Sequence, residues 1–314
     1  MKALIIGAAG FVGNYLIKHI QETYDWKLVA TKLENETLEY DNIQVYNLNI
    51  LYKEEITALL KEMQPDYIFY LAAQSSVSLS WKNPLLTVDI NIKGCLNLLE
   101  CLRELEQNPR ILLIGSGEEY GYIQPEDTPV KETTVLAPGN IYAATKACQN
   151  MLGTIYARAY NMNIILVRAF NHVGPGQTPT FVVSDFCRQV ALIENGKQAP
   201  VIKVGNLEAM RDFTDVRDVV RAYGMLIQKG VKGYTYNIGS GHAVRIRSLL
   251  ENILKLSTVP ITVEIDSAKL RPLDIPIIEA DISKLTECIS WKPEIPQIQT
   301  LQETLGYWRQ KVRE

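Results

Sequence analysis

The chain has 314 residues, of which 47% are hydrophobic and 21% are charged, and its formal net charge is −3. These values are typical of a globular protein and exclude a disordered chain, a collagen and a coiled coil. The near-neutral charge disfavours a nucleic-acid partner, and no apolar run reaches the ~18–20 residues that span a membrane. Five scattered cysteines and three separated histidines predict free thiols, a cytoplasmic location and no metal site.

The first half of the chain alternates apolar strands with amphipathic helices. The pattern predicts strands at 2–7, 27–30, 43–50, 66–73, 110–115 and 163–170, and helices from residue 11, over 53–64, from 84 to about 106, and over 141–160. Asn83 and Pro84 are the expected cap and first-turn proline of the third helix. Apolar strands separated by helices predict an α/β fold, a doubly wound parallel sheet of the Rossmann type.

The pattern changes after Phe170, where prolines and glycines become frequent and the elements shorten. We therefore expect a dinucleotide-binding domain over 1–170 and a smaller C-terminal α/β domain that binds the substrate. The smaller domain is expected to cover 171–211 and 241–314, whereas 212–240 is expected to return to the first sheet through a strand at 231–238.

A glycine-rich loop joins the first strand to the first helix. Gly7, Gly10 and Gly13 have the spacing GxxGxxG. Glycines at such a turn let the backbone approach a pyrophosphate, which the helix N-terminus then faces. The loop predicts a dinucleotide site, although a purely structural turn is the alternative.

The end of the second strand should select the dinucleotide. An acid there would bind the 2′-hydroxyl of NAD, whereas a basic residue would tolerate the 2′-phosphate of NADP. The segment ends in Thr31 and Lys32, without an acid, which favours NADP(H) over NAD(H). A solvated Lys32 is the alternative, in which case Glu34 could take the role of the acid.

Tyr142 and Lys146 lie four residues apart on a predicted helix and so share one face. The ammonium is expected to lower the pKa of the phenol from ~10 toward neutrality, which would let Tyr142 exchange a proton with a substrate oxygen. Ser116 follows a predicted strand and can donate a hydrogen bond to the same oxygen. Without this context, the pair would indicate only a surface helix.

These motifs, in this order and over essentially the whole chain, resemble the extended short-chain dehydrogenases/reductases. The resemblance implies a catalytic triad of Ser116, Tyr142 and Lys146, and a structural role for Asn91. It implies that the dinucleotide contacts Gly7, Gly10, Phe11, Val12, Gly13, Thr31, Lys32, Asn49, Ile50, Leu71, Ala72, Ala73, Tyr142 and Lys146. Asn49 stands where the family usually has an aspartate, and Asn140 and Ile141 replace the usual Ser-Pro.

The later loops resemble the nucleotide-sugar branch of this family, through the phrases FNHVGPGQ and KVGNLEAMRDFTDVRD. Two arginines in these loops, Arg211 and Arg271, suit a diphosphate because a guanidinium group can donate two hydrogen bonds to phosphate oxygens. Surface salt bridges are the alternative for each of them. The resemblance implies a nucleotide-diphosphate sugar as substrate, and favours a GDP-linked sugar. It implies that this substrate contacts Gln74, Ser76, Glu118, Asn171, Val182, Lys203, Arg211, Arg271 and Asp274. His172 is expected to be a structural neighbour.

The phrases are most similar to reductases of GDP-linked 4-keto-6-deoxy-D-mannose, which implies hydride transfer from NAD(P)H with Tyr142 as general acid. Glu118 matches a glutamate of the GDP-mannose 4,6-dehydratases, so a dehydratase is the main alternative, followed by an epimerase. A non-catalytic dinucleotide sensor is expected to lose Tyr142 or Lys146. The two long helices resemble those that pair in family homodimers.

Overall fold

The computed structural model describes residues 1–40, 42–270 and 275–314. The strands are β1 (Lys2–Ile6), β2 (Lys27–Lys32), β3 (Gln44–Asn47), β4 (Tyr67–Tyr70), β5 (Arg110–Ser116), β6 (Ile164–Ala169), β7 (Asn171–Val173), β8 (Val201–Val204), β9 (Met210–Asp215), β10 (Thr235–Ile238), β11 (Ala243–Arg245), β12 (Thr262–Ile265) and β13 (Ile277–Ile278). The helices are α1 (Phe11–Thr23), α2 (Lys53–Met63), α3 (Val77–Lys82), α4 (Pro84–Val88), α5 (Gly94–Glu104), α6 (Ile141–Ala159), α7 (Val182–Glu194), α8 (Val216–Lys229), α9 (Ile246–Lys255), α10 (Ser283–Ile289) and α11 (Gln297–Arg313).

Seven strands form one parallel sheet in the order β3-β2-β1-β4-β5-β6-β10. Helices α1, α8 and α10 cover one face, and α2, α5 and α6 cover the other. Burial on both faces explains why the strands are apolar throughout rather than alternating. The predicted fold class, a doubly wound α/β sheet of the Rossmann type, is confirmed.

The strand order reverses between β1 and β4, and ligands of such sheets bind beyond the carboxyl ends of the strands at this point. The glycine loop leaves the sheet there after β1. Leu71, Ala72 and Ala73 leave it beside the loop, after β4. The topology therefore places the main sequence motifs at one edge.

The predicted helix from Pro84 to about Glu106 has an internal π-helical segment over Asp89–Lys93, between α4 and α5. Asn91 lies in this segment, where it bonds the backbone of Gln74 and donates to the Thr145 hydroxyl at 2.9 Å. The expected side-chain cap by Asn83 is wrong, because this residue contributes its backbone carbonyl, which accepts from Thr87.

A smaller sheet is centred on β9, which pairs with β7, β11 and β13, while β8 pairs with β12. Helices α7, α9 and α11 pack around it through a separate apolar core. Because β9 extends to Asp215, residues 212–215 lie in this smaller sheet, whereas we expected the return to the first domain to begin at residue 212. The chain returns to the large sheet through α8 and β10, which pairs with β6.

Within the described ranges, the helices are all too short or too polar to cross a membrane.

Candidate active site

A cavity of about 1140 Å³ opens at the carboxyl edge of the large sheet, facing the smaller sheet. All the residues predicted to contact the dinucleotide line it: Gly7, Gly10, Phe11, Val12, Gly13, Thr31, Lys32, Asn49, Ile50, Leu71, Ala72, Ala73, Tyr142 and Lys146. Ser116, Ser76, Glu118, Asn171, Val182 and Arg211 line it as well. The fold thus gathers side chains that are up to 200 positions apart into one space.

Two predicted substrate residues lie off the cavity wall. The buried Gln74 uses its side-chain amide within the protein, donating to Thr87 and accepting from the backbone N–H of Ser76. Lys203 has an exposed side chain on β8. Arg271 and Asp274 lie outside the described residues.

The glycine loop has the close backbone contacts that such a site needs. Gly7 has a φ of +83°, and a Cβ there would lie 2.7 Å from the Ala72 backbone. A Cβ on Gly13 would lie 2.2 Å from the Ala8 carbonyl oxygen, so α1 packs tightly against the loop that follows β1. The first turn of α1 carries no acid, and Gly10 at its N-cap offers no side chain to cover the helix N–H groups. These features fit an anionic pyrophosphate.

The rim of the cavity beside β2 carries both signs of charge. Lys32 lines it, together with Glu36, whose carboxylate accepts from the Leu33 backbone N–H at 2.8 Å. Glu34, which we considered as the acid of this site, does not line the cavity. Sequence reasoning missed Glu36 because this residue reaches the rim through the turn that follows β2.

Ser116, Tyr142 and Lys146 come together at the end of β5. Lys146 Nζ donates to the Ile114 carbonyl oxygen at 2.7 Å and to Gln149 at 3.0 Å, which ties α6 to β5. Ser116 begins a short 3₁₀ turn, and its hydroxyl accepts from the Glu118 backbone N–H at 3.2 Å. All three side chains are at least 90% buried.

The charge on Tyr142 differs from our expectation. Burial raises the pKa of its phenol well above the ordinary value; the Ser116 side chain lowers it, while Glu118 and Glu119 raise it further. The expected lowering by Lys146 is wrong, because its ammonium is directed to Ile114 and Gln149. Burial instead lowers the pKa of Lys146 to about 8, although Glu119 opposes this shift. Tyr142 is therefore a neutral proton donor at physiological pH.

A buried carboxylate supports the backbone of Ser116. Glu119 is fully buried and accepts from the Ser116 N–H at 2.8 Å, from Asn150 at 2.7 Å and from Arg168 at 2.9 Å. Burial raises the pKa of Glu119, and Arg168 opposes this shift. The ion pair stabilises the turn from within, because every donor to the carboxylate comes from a neighbouring strand, helix or turn.

Glu118 lies on the cavity wall beside Tyr142. Its carboxylate accepts from Asn140 Nδ2 at 3.1 Å. The same Asn140 caps α6 by accepting from the Ala143 N–H at 2.8 Å, so the residue that replaces the family serine has two roles. A carboxylate thus faces the same space as the proposed proton donor.

Asn171, Val182 and Arg211 line the side of the cavity formed by the smaller sheet. Arg211 donates to the backbone carbonyls of Met210 and Ile275 at 2.8 Å and 2.6 Å. His172 stacks on Phe11 with the ring centroids 6.1 Å apart, and burial lowers its pKa. This contact supports the structural role expected for His172.

Within the described ranges, no cluster of three or more His, Cys, Asp or Glu side chains could hold a metal ion.

The chain matches the family model described as GDP-mannose 4,6 dehydratase over residues 4–304. It is 32% identical to GDP-6-deoxy-D-mannose reductase of Pseudomonas aeruginosa, covering 100% of this chain and 99% of that protein. It is 28% identical to GDP-mannose 4,6-dehydratase of Vibrio cholerae, covering 94% and 90%. The solved structure of RMD from Pseudomonas aeruginosa complexed with NADPH superposes with a TM-score of 0.88 at 30% identity, covering 99% of this chain and 100% of that one. The predicted resemblance is therefore confirmed.

Proposed function

Because the chain belongs to the GDP-mannose 4,6-dehydratase family of nucleotide-sugar enzymes, we propose that it reduces GDP-4-dehydro-6-deoxy-D-mannose to GDP-6-deoxy-D-mannose. The observation that carries the proposal is one cavity that combines the glycine loop, a neutral buried Tyr142 and the Arg211 side. A dinucleotide and a sugar nucleotide could then meet beside the phenol. The match to GDP-6-deoxy-D-mannose reductase over the full chain supports the same reaction.

The chemistry assigned to this chain is proton transfer. NADPH held beside the glycine loop and Lys146 would supply the hydride for C4 of the sugar, and the electron pair of the C4 carbonyl bond would move onto its oxygen. Tyr142 donates its hydroxyl proton to that oxygen, so the product is an alcohol. Ser116 stabilises the developing charge by a hydrogen bond. Lys146 would hold the ribose next to the nicotinamide through its ammonium group.

We further propose that NADPH is preferred over NADH. Lys32 supports this preference, since it lines the cavity at the end of β2, where a basic residue would favour a 2′-phosphate. One relative of known structure, RMD from Pseudomonas aeruginosa, was solved with NADPH, which supports the proposal.

GDP-mannose 4,6-dehydratase is the second candidate, and Glu118 is the observation that favours it. Dehydration requires a group that removes a proton from C5 and another that protonates the departing C6 oxygen. Glu118 lines the cavity close enough to Tyr142 to raise the pKa of the phenol. We favour reduction because its proton donor, Tyr142, is neutral, and Asn140 already binds the Glu118 carboxylate.

Two incubations separate these functions. The pure protein is given GDP-mannose alone in one incubation, and GDP-4-dehydro-6-deoxy-D-mannose with NADPH in the other. Absorbance measures the consumption of NADPH, and chromatography separates the nucleotide sugars. The reductase predicts NADPH oxidation and a new GDP-sugar in the second incubation only. Conversion of GDP-mannose to the 4-keto sugar without added reductant would establish the dehydratase instead.

We also propose that the protein is a homodimer. Exposed apolar side chains lie on α4 and α6, namely Leu85, Val88, Met151 and Ile155. Exposed apolar side chains grouped in this way are typical of protein interfaces. Light scattering should give twice the monomer mass of 35.4 kDa, and Met151→Glu combined with Ile155→Glu should give the monomer. A monomeric wild type would contradict the proposal.

A further inference from the structure

Among the described residues, eight side-chain polar atoms are buried without a hydrogen-bond partner. They belong to His19, Tyr70, Gln107, Arg110, Thr128, Asn150, Thr214 and Tyr223. Of these eight side chains, Tyr223 alone lines the cavity. A buried hydroxyl without a partner costs free energy that a phenylalanine at the same place would avoid. An unsatisfied hydroxyl on a side chain that lines a binding cavity therefore points to a partner that the ligand provides.

Tyr223 reaches the cavity from the side opposite to Tyr142. It lies on α8, which covers the α1 face of the sheet, whereas Tyr142 lies on α6 at the other face. The Tyr223 ring is fully buried in the apolar core, which fixes its direction. The two phenols are close enough for Tyr142 to raise the pKa of Tyr223, after the larger effect of burial. Tyr223 is thus a protonated donor at the reacting end of the cavity.

We propose that the Tyr223 hydroxyl donates a hydrogen bond to the nicotinamide end of the bound dinucleotide. The inference rests on the proposed function, which places a nicotinamide beside Tyr142. Its carboxamide oxygen is an acceptor of the kind that a neutral phenol needs. Tyr223 is then a binding and positioning residue for the dinucleotide and takes no part in proton transfer.

The test compares Tyr223→Phe with Tyr70→Phe. Both phenols are fully buried and lack a partner, but Tyr70 does not line the cavity, so it is a matched control. Dissociation constants are measured by fluorescence titration for NADPH and for 2′-phospho-ADP-ribose, which lacks the nicotinamide. Tyr223→Phe should weaken NADPH binding roughly 3- to 10-fold and leave the fragment unchanged, whereas Tyr70→Phe should change neither.

Thermal melting provides a second measurement. Each variant removes an unpaired hydroxyl and keeps its ring, so both ligand-free proteins should melt at or above the wild-type temperature. The increase in melting temperature on adding NADPH should be smaller for Tyr223→Phe alone.

Equal NADPH affinities in wild type and Tyr223→Phe would overturn the inference, and so would equal weakening of the fragment. Neither result would affect the proposed reduction. A wild-type protein that binds no nicotinamide dinucleotide would instead overturn the proposed function together with this inference.

Discussion

The two ends of the cavity are built in different ways. The dinucleotide end is formed by one continuous strand, loop and helix, from β1 through Gly7 and Gly13 into α1, with the ends of neighbouring strands beside it. The other end is assembled from Ser76, Val182 and Arg211, which come from distant parts of the chain. The first end depends on the absence of side-chain atoms, and the second on their presence.

This difference determines which substitutions should impair binding at each end of the cavity. A Cβ on Gly13 would overlap the backbone, which cannot move without the sheet. Arg211 Nη1 donates to the carbonyl oxygens of Met210 and Ile275, so the position of its guanidinium depends on hydrogen bonds. Added atoms should therefore damage the first end, and lost hydrogen-bond geometry should damage the second.

The largest effect is expected where the two ends meet. Tyr142→Phe removes the proposed proton donor and should lower kcat by roughly 10²- to 10⁴-fold. The Kd for NADPH should change little, because the ring and the glycine loop remain. Turnover and NADPH titration measure the two quantities. Retention of wild-type turnover would exclude Tyr142 as the acid.

Gly13→Ala tests the dinucleotide end by adding one methyl group. Its Cβ would lie 2.2 Å from the Ala8 carbonyl oxygen, so we expect a loss of about 1–3 kcal/mol in the free energy of unfolding and weaker NADPH binding. The measurement is chemical denaturation, followed by NADPH titration of the folded protein.

Gly306→Ala is the matched control, since Gly306 lies within α11 and its Cβ would meet no atom within 4 Å. This change should increase stability by about 0.5–1 kcal/mol through helix propensity. If Gly13→Ala behaved like Gly306→Ala, close packing at the loop would not limit the dinucleotide end.

The same contrast explains what could be predicted from the sequence. Gly7 and Gly13 have a spacing that depends on adjacent residues alone, and their place in the cavity followed from it. Gln74 is off the wall because Thr87 and Ser76 satisfy its amide, and that pairing depends on the turn into α3. Contacts that depend on the path of a turn leave no signal in the residue spacing.

Charge states were harder to predict than positions. The spacing of Tyr142 and Lys146 placed both on the cavity wall, but the direction of the Tyr142 pKa shift was wrong. The spacing of the two residues does not show that the Lys146 ammonium donates to the Ile114 carbonyl oxygen. It also does not show how deeply the Tyr142 phenol is buried. Tyr223 was missed for a related reason, since only the packed core shows that its hydroxyl lacks a partner.

Arg211→Lys tests the substrate end by keeping the charge and removing the fork. We expect the KM for the GDP-sugar to rise roughly 10- to 100-fold, as for the loss of a charge-assisted hydrogen bond, with the Kd for NADPH unchanged. Arg247→Lys is the control, because Arg247 pairs with Glu208 on the surface and off the cavity wall. A rise in the NADPH Kd as large as that in KM would show that the two ends are not independent.

The pH dependence of kcat/KM tests the role of Lys146, which lies where the two ends of the cavity meet. Its pKa is lowered to about 8, so its charge is present below that pH and is lost as the pH rises through it. The kcat/KM for NADPH, which reports groups of the free enzyme, should therefore fall about fivefold between pH 8 and pH 9 and approach a tenfold fall per pH unit above that. Tyr142 stays protonated over this range because its own pKa is raised. Lys146→Arg should remove the decline near pH 8, and an unchanged decline would assign it to another group.

The smallest effect is expected at the rim of the cavity beside β2, where Lys32 is proposed to select NADPH over NADH. Lys32 is half-buried, so its bond to a 2′-phosphate is screened by solvent, and Lys32→Ala should raise the Kd for NADPH only about 5-fold while leaving that for NADH unchanged. Glu36→Gln removes an acid from the same rim and should shift the preference in the opposite direction, toward tighter NADPH binding. Paired titrations of both variants with both dinucleotides measure the two shifts. If Lys32→Ala weakened NADPH and NADH equally, the lysine would support the loop in general and would not select the 2′-phosphate.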